Sequence, residues 1–126
     1  DFYGGWEGDS KNAVTGKGLT SEEVEAQKFF THLFNWRKTA TAIHNGKFKH
    51  YAPEKNDAYV YFRYNDTQKI MVILNKNDKK ITLDMKTYQD MIPSIFNAKD
   101  ALSGNEINVN GTLEVAPKSA LILEIK

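Results

Sequence analysis

Apolar residues recur at three- and four-residue spacing through Ala26, Phe29, Phe30, Leu33, Trp36, Ala40 and Ile43, while Glu25, Lys28, His32, Asn35 and Thr39 fall on the opposite stripe. That period belongs to an amphipathic α-helix. Its start is marked by Thr20-Ser21-Glu22-Glu23, a capping box in which Thr20 is the N-cap and Glu23 reaches back to the free amide, with Leu19 and Val24 placed as a hydrophobic staple. Asn45-Gly46 predicts a left-handed stop, because glycine carries no Cβ penalty there. The pattern predicts one helix over 20–44, about six turns long. Ahead of it, residues 1–19 hold five of the eight glycines and little periodicity, and read as an irregular loop.

From Phe48 onward the period drops to two. β-rich runs at 58–64, 70–75 and 80–84 are separated by Asn65-Asp66 and Asn77-Asp78, turn formers whose short side chains bond their own backbone. They read as a meander. A short helical excursion is predicted over 85–91, with Pro93 helping to end it. Further strands are predicted at 94–98, 106–108, 111–115 and 119–125, with Asn110-Gly111 as a type I′ hairpin turn. About seven short strands in the last 80 or so residues predict an antiparallel β-sandwich, a mainly β fold preceded by a Gly-rich loop and one long amphipathic helix.

With 126 residues the chain is long enough for one domain, or one domain plus an appendage, and too short for a complete barrel enzyme of about 250 residues. Its net charge is +1, from 17 basic and 16 acidic side chains spread along the sequence, so electrostatics give no reason to expect nucleic acid or an anionic membrane as partner. The absence of cysteine excludes disulfides and thiolate metal sites. No apolar run approaches the roughly 20 residues of a membrane span, and no signal peptide opens the chain. It opens on Asp1 rather than Met, which points to a processed product or an excised segment.

Candidate chemistry is sparse. His32, His44 and His50 lack metal-ligand spacing, so no metal and no cofactor is expected. Neither a nucleophile elbow nor a phosphate-binding loop is present. The carboxylates cap the helix, form turns or alternate on strand faces, instead of offering the facing pair that glycoside hydrolysis requires. No catalytic residue is expected.

The aromatic residues say more. Phe2, Tyr3 and Trp6 lie in the Gly-rich loop, where rings have no evident core to fill; a flat ring there either packs against the C–H face of a sugar or anchors the loop to a neighbour. In the first β-run Tyr59, Tyr61 and Arg63 share one face and Val60, Phe62 and Tyr64 the other. One face must be core; the other is a sugar platform or an ordinary half-exposed tyrosine ladder. Phe29, Phe30, Leu33, Phe34, Trp36 and Ile43 exceed what one stripe against a small sandwich needs, which implies a second packing partner or self-association through the helix.

Asp1-Phe2-Tyr3-Gly4-Gly5-Trp6, then Gly8-Asp9, Asn12-Ala13, Leu33-Phe34-Asn35-Trp36-Arg37-Lys38 and Ile43-His44-Asn45-Gly46-Lys47, resembles the end of the α-amylase family of glycoside hydrolases, family 13, in particular its neopullulanase and cyclomaltodextrinase branch. The likeness is specific over residues 1–47 and looser afterward, at Val60-Tyr61-Phe62-Arg63 and at Ala116-Pro117-Lys118-Ser119-Ala120-Leu121-Ile122-Leu123. Tyr3 departs from the pattern, standing where the family usually has proline, and so frees φ.

The resemblance implies that 1–46 is the last loop and helix of a truncated (β/α)8 barrel and 47–126 the C-terminal sandwich known as domain C, Greek-key-like. The family's catalytic carboxylates lie upstream of Asp1, so the chain would be non-catalytic: a part that caps and stabilises the barrel of a retaining α-glucan hydrolase. Its loop would be the last on the rim of the cleft. The partner implied is the missing catalytic barrel, with α-glucan oligosaccharide contacting Phe2, Tyr3, Trp6, Tyr59 or Tyr61. The compartment implied is periplasmic or extracellular. Two alternatives stay open: a stand-alone α-glucan-binding module using Tyr59, Tyr61 or Trp6, and an immunoglobulin-like interaction domain with a leading helix.

Overall fold

The computed structural model describes residues 4–53 and 58–126. The chain divides into two compact units, Asp1–Asn35 and Trp36–Lys126.

In the first unit, a loop leads into helix α1 (Ser21–Thr39). The capping box forms as its sequence predicts: the Thr20 amide donates to Glu23 Oε2 at 2.8 Å, and the Glu23 amide to Thr20 Oγ1 at 3.2 Å. Lys11 Nζ reaches Glu23 Oε1 at 2.5 Å and Gln27 Nε2 donates to the Ala13 carbonyl at 2.5 Å, so the loop is tied to the first two turns of the helix. Lys11 and the Thr20 amide together hold the Glu23 carboxyl below its ordinary range.

The second unit begins with the end of α1 and a five-residue helix α2 (Thr41–Asn45). The single helix expected over 20–44 is thus interrupted at Ala40, whose ψ of 83° is not helical. Ala40 and Ala42 are both fully buried. Two residues apart on one helix point about 200° apart and cannot share a face. Breaking the helix lets both alanines meet the sheet.

The expected left-handed stop at Gly46 is also corrected. Gly46 has φ −78° and ψ 160°, an extended conformation open to any residue. Glycine is needed there for space, since a Cβ would lie 2.2 Å from the Ala42 carbonyl oxygen and 2.8 Å from that of Tyr64.

Among the described residues eight strands follow: β1 (Lys47–Tyr51), β2 (Tyr59–Tyr64), β3 (Lys69–Asn75), β4 (Ile81–Asp84), β5 (Ile95–Asp100), β6 (Glu106–Asn110), β7 (Thr112–Val115) and β8 (Ser119–Ile125). One 3₁₀ turn, Met85–Tyr88, occupies the predicted helical excursion. β1 is additional to the seven strands expected.

The ladder runs β1-β2-β3-β8-β5-β6-β7-β4, antiparallel at every pairing, with β8 inserted between β3 and β5 in Greek-key fashion. Its two ends meet in one core. Val60, Phe62, Met71, Ile73 and Leu123 from one layer pack with Leu83, Phe96, Ala98, Val109, Leu113 and Val115 from the other, which makes an antiparallel β-sandwich. Asn75, at the end of β3, fastens the layers: buried, its Nδ2 donates to the Ala116 carbonyl at 2.8 Å and the Lys79 carbonyl at 3.1 Å.

Asn110-Gly111 is a corner, not the expected type I′ hairpin. β6 pairs with β5 and β7 with β4, and β6 and β7 meet only at Asn110 and Thr112. Gly111 alone takes positive φ, 78°, where a type I′ turn needs both central residues there. The Gly111 amide donates to the Ser94 carbonyl at 2.8 Å while its carbonyl accepts from the Met85 amide at 3.0 Å, so tertiary partners pin the bend.

Candidate functional site

Two places carry the aromatic side chains that the sequence singles out, one in each unit.

The first is the loop before α1. Phe2 and Tyr3 lie outside the described residues. Trp6 is 66% exposed, and its backbone is held from both sides: its amide donates to Asp9 Oδ2 at 3.1 Å and its carbonyl accepts from Asn12 Nδ2 at 3.3 Å. Asp9 Oδ2 also accepts from the Gly4 amide at 2.7 Å, and the Trp6 and Gly4 amides hold this carboxyl below its ordinary range. Asn12 Oδ1 accepts from the Val14 and Thr15 amides, each at 2.9 Å. Asp9 and Asn12 act as the frame of the loop, which presents the Trp6 ring to solvent.

The second is the outer face of the β1-β2-β3-β8 layer. In β2, Val60 and Phe62 point into the core, and Tyr59, Tyr61 and Arg63 point out. Because Tyr61 pairs with His50 and Arg63 with Phe48, β1 adds Phe48 and His50 to this face. The four rings form one cluster: Tyr59 to Tyr61 5.7 Å, Phe48 to Tyr61 5.5 Å, Phe48 to His50 5.8 Å and His50 to Tyr59 6.1 Å between centroids. Burial pushes the Tyr61 phenol up, the neighbouring Tyr59 adds to this, and Arg63 opposes it.

Phe48 and His50 are the members that sequence reasoning missed. Their signal was the alternation in Lys47-Phe48-Lys49-His50-Tyr51, weak because neither face of that strand is fully buried.

The same outer face is covered at its other end. Trp36, Ala40, Ala42 and Ile43 pack over Ile70, Val72 and Ile122, with Tyr61 at the margin. This explains the continuous apolar run in β3: Met71 and Ile73 face the main core, Ile70 and Val72 the second one. Polar bonds seat the covering segment. Arg63 donates to the Ala42 and Ile43 carbonyls at 3.2 and 2.9 Å, and the Ala42 amide donates to Gln68 Oε1 at 3.0 Å.

A cleft of about 450 Å³ near the 3₁₀ turn is lined by Tyr51, Thr82, Asp84 and Tyr88 among others. Beside it Asp90 accepts from both Lys49 and Tyr51. Among the described residues no group of three or more His, Asp or Glu side chains is placed to hold a metal ion, and no helix is long and apolar enough to cross a membrane.

Residues 48–124 match the family model described as the cyclo-malto-dextrinase C-terminal domain. Among solved structures the chain is similar to AmyP, determined in complex with maltose, with 17% identity and TM-score 0.74 over 92% of this chain and 24% of that one. It is similar to the trehalulose synthase MutB from Pseudomonas mesoacidophila MX-45, with 17% identity and TM-score 0.66 over 92% of this chain and 21% of that one. An Anoxybacillus α-amylase gives 16% identity and TM-score 0.63 over 97% of this chain and 26% of that one. The likeness is one of fold, and the chain spans about a quarter of the length of AmyP.

Proposed function

Because this chain belongs to the family of cyclo-maltodextrinase C-terminal domains, we propose that it is the non-catalytic C-terminal portion of an α-amylase-family glycosidase acting on α-glucans, in which it completes and caps the catalytic barrel. The supporting observation is α1. No residue of this 19-residue helix is buried, and Phe29, Phe30 and Phe34 are exposed as a continuous ring ladder, Phe29 to Phe30 at 5.5 Å and Phe30 to Phe34 at 6.0 Å. Such a stripe is stable in water only when another element covers it. The barrel supplies that cover, along with the paired carboxylates of a retaining mechanism. Without the barrel, α1 drives self-association of the chain. The parent belongs to the neopullulanase-like branch and works in the periplasm or outside the cell.

The test is hydrolysis of starch, pullulan and cyclodextrins by the purified chain and by the full-length parent. The parent releases reducing sugar and the chain alone does not; hydrolysis by the chain alone overturns the assignment.

One observation favours a finer role for the loop. Trp6 is exposed on a backbone already fixed by Asp9 and Asn12, so stacking on a sugar would order its side chain alone and not the loop. Trp6 then belongs to a distal subsite at the rim of the parent's cleft. Trp6→Ala in the parent raises KM for long maltooligosaccharides and leaves maltotriose unchanged; equal effects on both remove the subsite.

A further inference from the structure

We propose that Asn110-Gly111 is a site of covalent modification, where water converts Asn110 to aspartate and isoaspartate, and that the fold withholds the same reaction from the other Asn-Gly pair, Asn45-Gly46. The sequence alone treats the two pairs alike.

The reaction needs only the chain and water. The Gly111 backbone nitrogen, once it gives its proton to hydroxide, attacks the side-chain carbonyl carbon of Asn110. The bond from that carbon to the side-chain nitrogen breaks, and ammonia leaves. Water then opens the cyclic imide at either carbonyl, giving aspartate or, with the main chain rerouted through the side chain, isoaspartate. Glycine favours the attack, because it has no Cβ in the way and takes the required backbone angles freely. The condition is that the glycine N–H be released from its hydrogen bond.

Both asparagines are exposed, so access of water does not separate them. The glycine nitrogens do. The Gly46 amide donates to the Ala42 carbonyl at 3.1 Å, and the position of a Cβ on Gly46 is walled by that oxygen and the Tyr64 carbonyl. Ala42 is itself fully buried; its carbonyl accepts from Arg63 and its amide donates to Gln68. Freeing Gly46 therefore means lifting α2 off the sheet. Asn45 Oδ1 also accepts from Asn65 Nδ2 at 3.4 Å.

Asn110 has none of this support. Space is open around Gly111, β6 and β7 meet only at Asn110 and Thr112, and the Asn110 side chain makes no hydrogen bond among the described residues. Two bonds hold the corner: the Gly111 amide to the Ser94 carbonyl and the Met85 amide to the Gly111 carbonyl. Breaking those two exposes the nitrogen, and the reaction follows the population of that local opening. Isoaspartate places one more methylene in the main chain ahead of Gly111, so Gly111 can no longer meet Ser94 and Met85 together.

The test incubates the 126-residue chain in mildly alkaline buffer, folded and in unfolding urea, and follows both asparagines by peptide mass spectrometry. In urea the two are expected to convert within about threefold of each other, since neither glycine is held. In the folded chain Asn110 is expected to slow about ten- to a hundredfold, as two hydrogen bonds must open, and Asn45 to run at least about tenfold slower again. Asn45 converting as fast as Asn110 in the folded chain overturns the proposal. So does an Asn110 rate that is the same folded and unfolded, or an Asn110 that stays intact when the folded chain is followed for a hundred or so half-times of the urea reaction. The isolated isoaspartyl form is expected to melt below Asn110→Asp, which has the same charge and an unaltered main chain; equal melting overturns the loss of the corner.

Discussion

Trp36 Nε1 donates to Glu124 Oε1 at 2.7 Å, joining the last turn of α1 to the final strand across 88 positions of sequence. Gln68 Nε2 donates to the same oxygen at 3.3 Å, and Gln68 Oε1 accepts from the Ala42 amide. One carboxylate therefore organises an indole, an amide side chain and, through that side chain, the start of α2.

Replacing this carboxylate should loosen the segment from the sheet. Hydrogen bonds to charged groups contribute about 1.5–3 kcal/mol, and Glu124→Ala is expected to lose that much in urea unfolding. Glu124→Gln retains an acceptor and loses less. In a Trp6→Phe background, where Trp36 is the one remaining indole, its emission moves to the red in the Ala variant as water reaches the ring.

Gly46 and Gly104 separate two reasons for needing glycine. Gly46 has ordinary φ and no room; Gly104 has φ 77° and open space around its Cα. Gly46→Ala, which drives a methyl into two carbonyl oxygens, costs at least the 1–3 kcal/mol or so of an overpacked site. Gly104→Ala costs about 1–2 kcal/mol, the left-handed penalty alone. Thermal melts of the two variants give that order.

Asn75 is buried with its Nδ2 among backbone carbonyls and its Oδ1 accepting from the Asn77 amide at 3.0 Å. Asn75→Asp exchanges a donor for an oxygen facing carbonyl oxygens, which raises the pKa of the new carboxyl in the fold. A folded-state value above the unfolded one means that the variant holds its stability at low pH and loses it as pH rises past about 4. Urea midpoints at pH 4 and pH 7 should fall in that order for the variant and stay close for the parent sequence.

The Tyr51 phenol is pushed up to about 12, first by burial and then by its bond to Asp90. The neutral phenol is favoured in the fold, so this contribution is complete below about pH 10 and disappears as pH rises through about 12. Asp90 works at the opposite end: Lys49 and Tyr51 hold its carboxyl below 3.8, so its contribution is present above that pH and is lost as pH falls through the lowered value. In a spectroscopic titration Tyr51 is expected to ionise near pH 12, and Asp90→Asn to move its ionisation toward 10.

The start of α1 was legible because a capping box is a local device, closed within Thr20 to Glu23. So were the two faces of β2, since alternation assigns Val60 and Phe62 to one side and Tyr59 and Tyr61 to the other without reference to any partner. Of the site, Tyr59 and Tyr61 were legible and Phe48 and His50 were not. Their strand is half-exposed on both faces, and only pairing with β2 brings their rings to the tyrosines.

By itself the sequence determined what neighbouring residues can settle among themselves: the helix start, the strand period, the antiparallel sandwich class and the family resemblance. The tertiary structure decided the rest, at positions where distant groups compete with local preference. The helical stripe through Ala40 and Ile43 continues past the break, yet burying both Ala40 and Ala42 on the sheet overrides it. Asn110-Gly111 carries a hairpin signal, yet hydrogen bonds to Ser94 and Met85 turn it into a corner between layers. Gly46 does follow the last helical residue, Asn45, but in extended rather than left-handed form, and glycine is required there because carbonyl oxygens from two different elements crowd the place a Cβ would take. Turn and cap preferences amount to about a kilocalorie each, and a buried face or a set of long-range hydrogen bonds outweighs them.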